Sequence, residues 1–176
     1  IGCNSSKVKP NDFISTVHAD QVWNQSPALQ GQGMTIAVVD SGIRSYHPDL
    51  TGRIIAQINV TPTIGTTDFF GHGTYVAGII AGNGSASKGA YMGIAPQANL
   101  VNVKVSNYVG SAHESSVIAG LQWIYENRTK YNIRVVNLSL NSTSEQSYHT
   151  SPLAAACEIL WFNGIVVVAS SGNQGA

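Results

Sequence analysis

The chain has 176 residues, with nine Lys and Arg balanced by nine Asp and Glu, so its formal net charge is zero. That balance argues against nucleic acid or an anionic membrane as the main partner, and the longest apolar run, at 164–169, is far too short to cross a bilayer. Only 10% of the residues are charged, against about 25% in ordinary soluble chains; polarity rests on Ser, Asn and Thr, which suits a secreted protein. One domain is the natural expectation for this length. The chain begins with Ile1, so a processed or excised N-terminus is expected. Cys3 and Cys157 are too few for a disulfide framework and lack metal-ligand spacing. One bridge between them stays open, and a buried free thiol at Cys157 is the simpler reading.

Residues 1–30 are polar and irregular, with a short helix expected at 18–23. Strand and helix signals then alternate. The apolar run 34–40 reads as a buried strand and 53–60 as a second. A short helix is expected at 74–81, between Gly73 and Gly82, and a strand at 99–105. Residues 111–131 carry Val117, Ile118, Leu121, Ile124 and Tyr125 at helical spacing. A strand follows at 134–140. The helix expected at 152–162 has Pro152 near its start, where a missing amide hydrogen does no harm, and Gly164 ends it. Residues 165–169 form the last strand. Apolar strands separated by helices imply βαβ units, hence an α/β fold with a mainly parallel sheet and helices on both faces.

Three places in this pattern carry chemistry. Asp40 ends the first strand in Val-Val-Asp40-Ser-Gly42, and in open α/β sheets functional groups gather at the carboxyl ends of strands. A carboxylate there can orient a histidine, although an Asp capping a turn is common. A phosphatase-type nucleophile is another reading, but it calls for a second Asp two positions on, where Gly42 stands. His72 lies between Gly71 and Gly73 at a helix start, where an imidazole can act as general base or simply cap the helix. A phosphate-binding turn is rejected there, because Val76 occupies the third glycine position. Ser170-Ser-Gly-Asn173 directly follows the last strand. An amide at that place can donate to a developing oxyanion, or serve as a plain polar turn.

Together these stretches resemble the subtilisin-like serine proteases, the subtilases, over nearly the whole chain. The resembling segments are Val38-Val-Asp40-Ser-Gly with His47-Pro-Asp-Leu50, His72-Gly-Thr-Tyr-Val-Ala-Gly78, Gly93-Ile-Ala-Pro96 with Val103-Lys-Val105, Asn137-Leu-Ser-Leu140, and Val166-Val-Val-Ala-Ser-Ser-Gly-Asn173. The resemblance implies that Asp40 orients His72, that His72 is the general base, and that Asn173 is the oxyanion side chain. It implies that Ser139, Leu140 and Asn141, with Ser170, Ser171 and Gly172, line the pocket before the scissile bond. It also implies that Tyr108, Val109 and Gly110 form an edge pairing with the peptide backbone.

Tyr75 stands in place of the family's usual histidine, and Asn141 in place of a glycine. Asp49 matches a calcium ligand of many relatives, so calcium is a candidate ion, and no organic cofactor is implied. The family's Gly-Thr-Ser-Met-Ala segment, which carries the nucleophilic serine, occurs nowhere in these residues. The expectation is therefore a partial subtilisin-like catalytic domain over 1–176, cut before the serine-bearing helix. It would be a secreted endopeptidase acting on protein or peptide substrates once the missing C-terminal segment is supplied, and inactive alone. The rival reading is a non-catalytic peptide-binding module of the same fold.

Overall fold

The computed structural model describes residues 12–141 and 146–173. Two short helices, α1 (Asp12–Thr16) and α2 (Ala19–Trp23), precede five strands: β1 (Thr35–Asp40), β2 (Ile54–Asn59), β3 (Asn99–Lys104), β4 (Ile133–Leu138) and β5 (Val166–Ala169). Three longer helices, α3 (His72–Ala81), α4 (Glu114–Asn127) and α5 (Pro152–Phe162), lie between strands. The strands form one sheet in the order β2-β3-β1-β4-β5, and every pairing is parallel. β1 therefore sits in the middle, which is why Ala37, Val38 and Val39 are wholly buried. Strands covered on both faces read as continuous apolar runs.

Alternation along the strands sorts the core into two layers. Ala37, Val39, Val101 and Val103 pack with Val117, Leu121 and Ile124 of α4 and Leu160 of α5. Val38 and Leu100 pack with Ala77 and Ala81 of α3 on the opposite face. Helices thus cover both faces, as the sequence leads one to expect. Asp40 falls in register with Lys104 of β3. By the two-residue period both side chains lie on the α3 face.

The element ends differ from expectation in instructive ways. α3 begins at His72 rather than Thr74, because a carboxylate outside the helix satisfies its first amides. α4 is shorter than 111–131 at both ends: Ala112 is held in an antiparallel bridge with Ser106, and Asn132 turns left-handed at φ 50°. α5 starts as expected, with the Ser151 hydroxyl accepting the Ala154 N–H and Pro152 in the first turn. Cys157 is a half-buried free thiol on that helix, and burial pushes its pKa up. Cys3 lies outside the described residues. No helix among the described residues is long and apolar enough to cross a membrane.

Candidate active site

The connection after β1 runs toward β2 and that after β4 runs toward β5. The carboxyl ends of β1 and β4 therefore flank the crevice where doubly wound sheets carry their sites. Asp40 ends β1 there, 2% exposed, and its Oδ1 accepts the Ser41 N–H at 2.7 Å. His72 opens α3 with its side chain 44% exposed. Its Nδ1 lies 2.9 Å from each Asp40 oxygen. An ionised carboxylate only accepts, so Nδ1 carries the proton and donates it. Nε2 is then left with its lone pair, which is what a general base needs.

α3 reaches Asp40 this closely because residue 73 is glycine. A Cβ at Gly73 would stand 2.2 Å from the Gly42 carbonyl oxygen and 3.0 Å from the Asp40 Cβ. Gly42 itself, at φ +109°, would meet the Thr66 carbonyl at 2.5 Å. The two loops that carry Asp40 and His72 are in backbone contact, and only glycine fits between them.

Asp68 holds the His72 helix from outside. Gly71, at φ 102°, offers no side-chain cap. Instead Asp68 Oδ1 accepts the amides of Phe70 (3.1 Å) and Gly71 (2.7 Å), and Oδ2 accepts the amide and hydroxyl of Thr74 at 2.9 and 2.7 Å. The Ser41 hydroxyl donates to Asp68 Oδ1 at 2.9 Å and accepts the Gly73 N–H at 3.0 Å. Burial alone would raise the Asp68 pKa. The hydrogen bonds from Thr74, Gly71 and Ser41 outweigh it and hold the carboxyl below its ordinary range. Lys104 is likewise fully buried. Its Nζ donates to the carbonyls of Ser41 (3.1 Å) and Thr67 (2.9 Å), with the Phe69 and Tyr108 rings at 5.9 and 5.2 Å.

Sequence reasoning gave neither Asp68 nor Lys104 a role. The signals were present: an acidic residue just ahead of a helix whose cap is glycine, and a lysine between valines in a strand that is otherwise apolar.

The remaining candidates fall at the same edge of the sheet. Ser139, Leu140 and Asn141 follow β4, and Ser170, Ser171, Gly172 and Asn173 follow β5. The two segments lie side by side: the Ser170 N–H bonds the Leu138 carbonyl at 3.2 Å, and its hydroxyl bonds the Leu140 carbonyl at 2.6 Å. The Asn141 Cβ would touch a Cβ at Gly172, 4.0 Å away, so Asn141 stands beside that glycine.

Tyr108, Val109 and Gly110 do not form the free edge expected of them. They are the tip of a closed turn, in which the Val109 amide bonds the Asn107 side-chain oxygen at 3.0 Å and the Gly110 amide bonds the Asn107 carbonyl at 3.2 Å. Amides spent inside the turn cannot pair with a peptide. Tyr108 stays on the surface: its ring packs edge-on against Phe69 at 5.1 Å, and its hydroxyl bonds Ile64. The backbone is extended only after the turn, at Ala112 and His113.

Calcium requires six to eight oxygen ligands, backbone and amide carbonyls among them, so Asp49 alone would not hold it. Its Oδ1 accepts the Ala86 N–H at 2.7 Å, while the facing Asn83 Oδ1 is occupied by the Ser85 amide and hydroxyl. Among the described residues no group of three or more His, Cys, Asp or Glu could hold a metal. These hydrogen bonds close the 83–88 loop.

Comparison with known proteins agrees with this geometry. The model of the subtilase family matches residues 31–176. The chain belongs to the subtilase family. This subtilase is 40% identical over 164 residues to serine protease AprX of Bacillus subtilis (strain 168), covering 90% of this chain and 37% of that protein. It is 40% identical over 163 residues to subtilisin Savinase of Lederbergia lenta, covering 93% of this chain and 55% of that protein. With subtilisin E of Bacillus subtilis (strain 168) the identity is 37% over 157 residues, 86% of this chain and 39% of that protein. The subtilase chain thus spans well under two thirds of the length of these curated relatives.

Proposed function

We propose that this subtilase chain supplies the general-base half of a serine endopeptidase that hydrolyses peptide bonds. The observation that carries the reading is the 2.9 Å approach of His72 Nδ1 to both oxygens of a buried Asp40. In this mechanism Asp40 holds the imidazole in one tautomer and stabilises its charged form, and Nε2 takes the proton of a serine. That serine belongs to a further segment of the same protein, which is the chain's first partner; the second is a peptide. His72 then gives that proton to the leaving amine, which departs as the acyl-serine forms, and next takes a proton from the water that hydrolyses the acyl bond and frees the serine. Asn173 donates to the oxyanion. Ser139–Asn141 and Ser170–Gly172 line the pocket before the scissile bond, and the peptide backbone lies along the extended residues after the 108–110 turn.

The whole chain is part of one catalytic domain in this reading. No organic cofactor enters it, and calcium at Asp49 stays a candidate ion. The protein acts outside the cell, a placement supported by its charge-poor, Ser- and Asn-rich composition. The test is made on the complete protein that contains this chain. Hydrolysis of a chromogenic peptide and labelling by a serine-directed phosphonate are both expected, and His72→Ala should abolish both without unfolding the protein. Peptide binding without cleavage would replace the enzyme by a binding module.

A further inference from the structure

Two buried charges beside the Asp40–His72 bond have no part in the steps above. Asp68 and Lys104 each have no exposed surface, and taking an ion out of water forfeits hydration that a neutral brace would not. They do not form a direct ion pair; among the described residues His72–Asp40 is the one close pair. Each charge is instead met by groups on the two catalytic loops. Lys104 sits in register with Asp40 and grips the Ser41 and Thr67 carbonyls. Asp68 grips the first turn of α3 and the Ser41 hydroxyl. Ser41 in turn reaches Gly73, the residue after His72. Contacts therefore run from Lys104 through Ser41 and Asp68 to α3, around the Asp40–His72 bond and never through it.

We propose that Asp68 and Lys104 are positioning residues for the general base, clamping the turn after β1 onto the start of α3. The proposal rests on the reading of His72 as general base. Removing an anion near an imidazole disfavours its charged form, and removing a cation favours it. The other charged groups facing this cluster are Asp40, bonded to the ring, and Arg44, whose Nε donates to the Asp68 carbonyl at 3.0 Å. Burial lowers the Lys104 pKa while the Asp68 charge counters it, consistent with each ion acting on its surroundings across this small space.

The test uses Asp68→Asn, Lys104→Met and Ser41→Ala in the complete protein. Two readouts are taken: peptide hydrolysis, and titration of the His72 ring by nuclear magnetic resonance. Each variant should lower kcat by about 10–100-fold with KM little changed, since a misplaced base acts on the chemical step. The His72 pKa should fall in Asp68→Asn and rise in Lys104→Met, which loosened packing alone would not produce. If Asp68→Asn does not fold, Ser41→Ala decides the kcat arm and Lys104→Met the titration arm. An unchanged kcat, or pKa shifts of the same sign in both charge variants, overturns the proposal. If the parent protein cleaves nothing, the enzyme reading fails, and the opposed titration shifts still decide whether the two ions act on His72.

Discussion

The two sides of the sheet's carboxyl edge are built to different degrees. Around β1, β3 and the start of α3, every charged group is met by named partners and glycines let the loops touch. Beyond β4 and β5, two short segments are tied to each other by Ser170 and otherwise lie open. The strands themselves are chemically alike: Ala37-Val-Val39 is wholly buried, whereas Val166 and Val168 of β5 are each 47% exposed. β1 is paired on both sides and β5 on one. Near β5, Trp161 and Phe162 of α5 are exposed as well. Composition alone does not finish a site; the number of neighbours does. The Asp40–His72 pair is held by contacts from residues 40–104, while the edge at β5 presents apolar side chains that call for cover.

The sharpest way to break the comparison is to remove the base from the finished side. His72→Ala in the complete protein should cut kcat by roughly 10⁶-fold, a size known from subtilisin itself, with the melting temperature little changed because the ring is nearly half exposed. Steady-state kinetics and calorimetry check both halves. On the open side, Asn173→Ala should lower kcat by about 10²–10³-fold, again a subtilisin magnitude, with KM almost constant. A matching rise in KM would show that Asn173 binds ground-state substrate instead.

Gly73→Ala probes how tightly the finished side is closed. The added methyl collides with the Gly42 carbonyl, so α3 must retreat at a cost of about 1–3 kcal/mol, readable by urea denaturation. The same change at Gly33, which has nothing within 4 Å of its Cβ position, should avoid that collision and leave only the strain of its positive φ.

The acid limb comes next. The folded-state pKa of Asp68 is lowered, so its stabilisation is complete above the ordinary carboxylate value near 3.9 and is lost as the pH falls from there toward the lower folded value. Asp68→Asn should flatten that limb in pH-dependent unfolding. The smallest effect belongs to Asp49→Ala, which gives up one charge-assisted bond to Ala86 for about 1 kcal/mol or less at a partly exposed site. A chelator should not change the melting temperature if the 83–88 loop is closed by hydrogen bonds alone.

Much of this was legible in the chain. Valine-rich runs ending in Asp40 and in Ala169 gave strands and their direction, and His72 between glycines marked the helix start that meets Asp40, because these features are local. The roles of Asp68 and Lys104 were not legible. A buried charge is recognisable only with its partners, and those come from residues 41, 67 and 74, brought together by the parallel pairing of β1 with β3 and the loop ahead of α3. The 108–110 turn was misread for the same reason: whether an amide is free depends on Asn107, whose side chain folds back over it.

Cys157 offers a use that its chemistry alone would not suggest. It lies on α5 against the apolar layer under β4 and β5, and burial keeps its thiol protonated and slow. Its alkylation rate, separated from that of Cys3 by peptide mapping, is a built-in clock for how often α5 lifts from the sheet. Comparing that clock in this chain and in the complete protein would time the breathing of the open side without any added label.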